Sequence, residues 1–214
     1  RLRSLHIPTE RDRALAAQLD RLLQADGEGR QTPVPVRFTA DLETRGIAII
    51  EAAGGGKTTA VRKVLSRTSA LNPVGAPPLY LHAKVPSPAT LKSLGLEILR
   101  LLDFDQVSAR ATAWQIWEAV RHRLSLRGIV VLWIDEAHDL FLSQSAREID
   151  DMLKMLKSLM QGDTAVILIL SGTERLSDIT SYDPQVNRRF TKVVPKDLVI
   201  GADEARLSKL VNDY

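Results

Sequence analysis

The chain of 214 residues contains no cysteine, which excludes disulfides and thiolate metal sites and leaves the redox compartment open. It lacks any apolar run approaching the ~20 residues needed to cross a bilayer, so no membrane role is expected. The opening Arg1-Leu2-Arg3-Ser4-Leu5 does not continue into the apolar core of a signal peptide. A cytoplasmic location is the expectation, with missing ends allowed for because the chain starts at Arg1 rather than Met. Internal repeats and low-complexity tracts are absent. The histidines His6, His82, His122 and His138 show no metal-ligand spacing and read as packing or surface; His138, beside Glu136, at most tunes a site. Acidic residues are missing altogether between Glu51 and Glu97, whereas Lys57, Arg62, Lys63, Arg67, Lys84 and Lys92 fall in that stretch. Such a segment suits a polyanion, since contacts to nucleic acid rest on Lys and Arg neutralising phosphates; a solvated basic face is the plainer explanation.

The 44% hydrophobic and 26% charged residues describe an ordinary globular protein with a net charge of +3, long enough for one domain and a small appendage. Thr9 can cap a helix from Glu10 to about Asp26, ended by Gly27, and 27–44 reads as a connector. Buried strands are expected at 47–50, 79–83, 129–134 and 165–170, with an edge strand at 193–199 interrupted by Pro195. Helices are expected from Lys57 to about Arg67, from Ser87-Pro88 onward, after Thr112 with Trp114, Trp117 and Val120 inward, from about Ala146 to Gln161, and from Asp203 to Asn212. Strands alternating with helices predict an α/β fold of three layers, a mainly parallel central sheet flanked by helices.

Ile47-Ala48-Ile49-Ile50 leads into Glu51-Ala52-Ala53-Gly54-Gly55-Gly56-Lys57-Thr58-Thr59, a strand, a glycine loop and a helix start. This order matches G-x-x-x-x-G-K-[ST], except that Glu51 stands in place of the first glycine. Residues 53–59 would cradle the phosphates of ATP, Lys57 bridging the outer ones and the Thr58 hydroxyl holding Mg2+, with the helix dipole facing the same charge. Ile129 to Ile134 is a second apolar strand, ending in Asp135 and Glu136. Two carboxylates at the end of a buried strand call for a partner: Asp135 can support the magnesium, and Glu136 can activate an attacking water. Thr173, in Ser171-Gly172-Thr173, is the candidate to meet the γ-phosphate or the water, with Ser171 as runner-up. Arg188 and Arg189 before Phe190 are either a surface patch or, in an oligomer, a pair that reaches a neighbour's γ-phosphate.

Taken together, GGGKTT, LWIDEAHDL, LILSGTERL and SYDPQVNRRF resemble the transposition ATPases of the TniB/TnsC type, within the AAA+ superfamily of P-loop NTPases. Leu5-His6-Ile7-Pro8-Thr9 is similar to the family's N-terminal segment, and the likeness spans most of the chain. It implies an N-terminal helix and linker at 1–44, a nucleotide-binding core at 45–202, and the start of a C-terminal helical lid at 203–214. It implies ATP hydrolysis, assembly into a ring or helical filament on double-stranded DNA, and delivery of that target to a transposase together with target-selection proteins. Arg189 matches the family's arginine before phenylalanine and is preferred as the trans-acting finger. Lys84, Lys92 and Arg110 are the candidate DNA contacts, for sequence-tolerant binding. The other readings are an AAA+ switch or secretion-associated ATPase acting on a protein without DNA, and a non-hydrolysing scaffold, against which Glu136 argues.

Overall fold

A computed structural model describes residues 9–108, 110–142 and 145–195, with Gly201, Glu204 and Ser208. The expected helix over 203–212, most of the lid segment 203–214 and the end of the expected strand over 193–199 lie outside the described residues.

Five short strands, three of them almost wholly apolar, form one sheet. They are β3 (Gly46–Ile50), β4 (Tyr80–Lys84), β5 (Val131–Asp135), β6 (Ile167–Gly172) and β7 (Phe190–Val193), arranged β4-β5-β6-β3-β7. Every neighbouring pair is parallel. Side chains in a strand point alternately to its two faces, and here both faces are covered. Ile47, Ile49, Val131, Trp133, Ile167 and Ile169 pack on one side with α1 (Glu10–Leu22) and α2 (Lys57–Arg67). Ala48, Ile50, Leu132, Ile134, Leu168 and Leu170 pack on the other with α3 (Leu91–Leu101), α4 (Ala113–Leu126) and α5 (Ala146–Leu159). β3, β5 and β6 therefore read as continuous rather than alternating hydrophobic runs.

Local chemistry sets the helix starts. Thr9, Thr90, Thr112 and Ser145 each close a reciprocal capping box with the residue three places on, satisfying backbone donors that a helix leaves open. Thr90 moves the start of α3 from the expected Ser87-Pro88 to Leu91. Trp114 also departs from expectation: it is 72% exposed, while Ile116, Trp117, Val120 and Leu124 face the core. At ~100° per residue it lies roughly 120° round the helix from Val120, outside the buried stripe.

The segment read as helix end and connector is a hairpin. After Leu22 the chain turns extended, and β1 (Leu23–Ala25) pairs antiparallel with β2 (Gln31–Pro35). Leu23 is buried, and the Asp26 carboxylate accepts the N–H groups of Glu28 and Arg30 at 2.9 Å each, which fixes the turn instead of another helical one. Leu15 and Leu19 are fully buried against the sheet, so α1 shares the core rather than forming a unit apart from residues 45–202. β7 begins at Phe190, three residues ahead of the expected edge strand, because Phe190 is itself buried and opposite Gly46. Two helices without an expected counterpart, α6 (Arg175–Tyr182) and α7 (Pro184–Asn187), connect β6 to β7.

Candidate nucleotide site

Because all five strands run the same way, β3, β4, β5 and β6 deliver their carboxyl ends to one edge, where ligands of open α/β sheets bind. Residues 51–56 form an open loop there, with Ala53, Gly54, Gly55 and Gly56 exposed. Gly54 and Gly56 take φ of 80° and 84°, a conformation that costs glycine least and curls the backbone into an anion-binding concavity. Gly56 caps α2 without any side chain accepting from its first turn, so those N–H groups stay available. Lys57 is buried, and its Nζ donates to the carbonyls of Glu51 (2.8 Å) and Ala52 (2.9 Å), across the mouth of the loop. Thr59 is exposed beside it.

The two expected halves of the site meet although they are 77 residues apart: Thr58 Oγ1 donates to Asp135 Oδ2 at 2.8 Å. Asp135 is 3% exposed and held from behind. Ser171 Oγ donates to its Oδ1 at 2.6 Å, and Trp133 Nε1 donates to Ser171 Oγ at 2.8 Å. His82 stacks on Trp133, ring centres 3.7 Å apart, with Nε2 3.6 Å from Asp135 Oδ2, a polar neighbour beyond ordinary hydrogen-bond length. Burial alone would raise the Asp135 pKa. His82, the Ser171 and Thr58 hydroxyls and the Glu136 N–H outweigh it and hold the group down to about 2. Asp135, kept ionised beside the Thr58 hydroxyl, would with it suit a magnesium ion, which would supply positive charge next to bound phosphates. Among the described residues no group of three or more His, Asp or Glu side chains gathers to hold a metal unaided.

Glu136 follows in the left-handed region (φ 55°), uncommon for a residue with a Cβ and a form of strain met at functional sites. That turn takes its side chain out of the strand direction, and it is one-third exposed with His138 Nδ1 3.5 Å from Oε2. Thr173 is half-buried just past β6, next to this edge. Ser171, the runner-up for contact with the γ-phosphate, is fully buried and committed to Asp135 instead.

The arginine pair differs from the expectation. Arg189 is 3% exposed, and its guanidinium is ion-paired with the buried Glu43 and donates to Gln185 O at 2.8 Å. It ties the segment before β3 to α7 and is committed to contacts within the chain. Arg188 is 62% exposed, with one long contact of 3.4 Å to Glu43. Both precede β7 and so sit at the amino edge of the sheet, a strand length of roughly 15 Å from the loop edge. Neither serves the loop of its own chain.

Lys84 ends β4 and is exposed; Lys92 lies in the first turn of α3. Trp117 Nε1 bonds Leu91 O and Arg127 bonds Leu102 O, so α3 and α4 run side by side in the same direction. The connection between them therefore returns exposed Arg110 to the end where Lys92 lies, and all three cations stand at the carboxyl edge of the sheet. Sequence reasoning missed Arg11, which reaches the loop from α1, and the supports Trp133 and His82 behind Asp135, and it gave Ser171 a different role. The apolar setting of Trp133 gave no local signal of a polar role.

Residues 40–180 match the family described as an AAA domain, a family of ATPases. The chain belongs to that family. No curated protein matches it. Among solved structures, the Aeropyrum pernix ORC1 protein in complex with DNA aligns over 97% of this chain and 50% of its own, with a TM-score of 0.61 and 17% identity. The Cdc6p of Pyrobaculum aerophilum gives 0.63 and 14%, over 97% of this chain and 50% of its own. The Aeropyrum pernix ORC2 protein, in ADPNP-ADP complexes, gives 0.60 and 20%, over 88% and 49%. These likenesses show the fold, the three-layer P-loop NTPase fold of the AAA+ type, and the chain spans about half the length of those proteins.

Proposed function

We propose that this AAA domain binds and hydrolyses MgATP and, as an oligomer on double-stranded DNA, regulates transposition. The observation that carries the nucleotide reading is the Thr58–Asp135 contact between the loop and the end of β5, with Glu136 next in the chain. Lys57 releases the loop carbonyls and binds the outer phosphates, and residues 53–59 supply backbone donors. Thr58 and Asp135 hold magnesium, which neutralises phosphate charge. Glu136 orients the attacking water and accepts its proton; Thr173 donates to the γ-phosphate from the β6 end. Arg188, exposed at the opposite edge, replaces Arg189 as the residue offered to a neighbour's site.

Supporting the DNA reading are the acid-free basic stretch, the three cations at the carboxyl edge, and a fold shared with an ORC1 protein in complex with DNA. The order of the four motifs supports the TniB/TnsC assignment, with a transposase and target-selection proteins as partners and residues 203–214 as the start of a lid. The test is binding to short duplexes of unrelated sequence, with and without ATP, viewed also by electron microscopy. ATP-dependent rings or filaments, weakened about equally on all sequences by K84E, K92E or R110E and with a shallower salt slope in each variant, are expected. ATP turnover without duplex binding would favour a switch acting on a protein.

A further inference from the structure

Glu51 stands where a glycine is expected, and its side chain lies over the loop. A methyl at Gly55 would come 2.3 Å from Glu51 Cδ and 2.5 Å from Oε1. A carboxylate in a loop that cradles phosphate opposes the ligand. The chain supplies a countercharge from 40 residues upstream, in the first turn of α1: Arg11 Nη1 donates to Glu51 Oε2. The same nitrogen donates to Gly55 O at 2.7 Å, and Nη2 lies 3.6 Å from the position a Cβ would take on Gly56. Arg11 is 8% exposed, and its buried Nε has no partner, so the guanidinium is committed to the loop on one side and retains an unused donor. Burying a guanidinium this far costs desolvation, which the pairing with Glu51 and the bond to Gly55 O offset.

We propose that Arg11 is a positioning residue of the nucleotide site, which neutralises Glu51 and fixes its carboxylate so that this loop still accepts a nucleoside triphosphate. The inference rests on the nucleotide reading above. It makes the docking of α1 and the binding of nucleotide linked equilibria: what loosens Arg11 from the loop weakens nucleotide binding, and nucleotide binding strengthens the docking by the same factor.

The test is calorimetric titration of MgATP into the full chain carrying R11Q, E51G or both, with thermal unfolding of each variant as a check on the fold. R11Q removes the guanidinium and its charge, its shorter side chain ending about where the arginine Nε stands. It should weaken affinity on the order of tenfold or more, because an unpaired carboxylate then borders the phosphates. E51G should bind at least as tightly as the wild type, and R11Q/E51G should regain the E51G affinity. Added salt should narrow the R11Q deficit by screening the bare charge. Equal weakness of R11Q and the double variant would overturn the proposal, since Arg11 would then act independently of Glu51; so would an unchanged R11Q. If R11Q does not fold, R11Q/E51Q, which removes both charges, carries the comparison: affinity near the wild type is expected, and a roughly tenfold loss overturns the proposal. A wild-type chain that does not bind MgATP would overturn the nucleotide reading itself.

Discussion

Replacing Ser171 by alanine removes one hydroxyl that serves two buried groups, Trp133 and Asp135, the second of which keeps the Glu136 N–H and Thr58. Trp133 Nε1 loses the acceptor it reaches at 2.8 Å, and Asp135 Oδ1 loses the donor at 2.6 Å. An unsatisfied buried donor costs about 1–3 kcal/mol, and a hydrogen bond to a charged group contributes about 1.5–3 kcal/mol. Some relaxation is allowed for, which sets the expected loss at about 3 kcal/mol. In a chain of 214 residues that corresponds to a fall in melting temperature of roughly 6–12 °C. Thermal unfolding followed by circular dichroism measures it. Ser66→Ala is the control, since that hydroxyl bonds only the nearby Lys63 carbonyl on the surface, and its effect should stay within about 0.5 kcal/mol. A cycle with Trp133→Phe separates the two losses, because Ser171→Ala costs less once the indole donor is gone. A melting temperature for Ser171→Ala within about 2 °C of the wild type would refute the idea that this hydroxyl braces the magnesium-site carboxylate.

Asp135 has a pKa lowered from 3.8 to about 2, so its contribution to stability is complete above pH ~4 and is lost as pH falls through about 2. The acid limb of the melting-temperature profile should therefore be flatter in Ser171→Ala, whose folded-state pKa lies nearer the unfolded one. Glu136→Gln should bind MgATP while turnover drops by a factor on the order of 10² or more, read by phosphate release. Arg189→Ala leaves the buried Glu43 with only the long contact to Arg188 and should destabilise the fold by about 3–5 kcal/mol in denaturant titrations. Arg188→Ala should spare the fold yet slow turnover, on the order of 10³-fold if the guanidinium acts in trans, and mixing it with Lys57→Ala should restore part of the activity.

Local patterns were readable because their causes are local. The loop 51–56 and the Asp135-Glu136 pair are contiguous in sequence, and the runs 47–50, 131–134 and 167–170 are apolar throughout because helices cover both faces of a parallel sheet. Thr9 and Thr112 announce the helices that start at the next residue. The Asp26 turn was hidden because the leucine spacing of α1 continues to Leu23, and periodicity does not say where a chain leaves the helix. The pairings between distant residues were hidden as well. Arg11 meets Glu51 across 40 residues, Ser171 meets Asp135 across 36, and Arg189 meets Glu43 across 146. Arg188 and Arg189 look alike in the sequence; only the position of Glu43 makes one a buried tie and leaves the other on the surface.

The central claim is that the glycine loop and the end of β5 together form a nucleotide site. Calorimetry of the wild type and Lys57→Ala with ATP, in the presence and absence of Mg2+, tests it most directly. Saturable binding by the wild type that tightens with Mg2+, and loss of binding in Lys57→Ala with an unchanged circular dichroism spectrum, is the predicted result. Absence of binding by the folded wild type, or equal affinity in Lys57→Ala, would contradict the account.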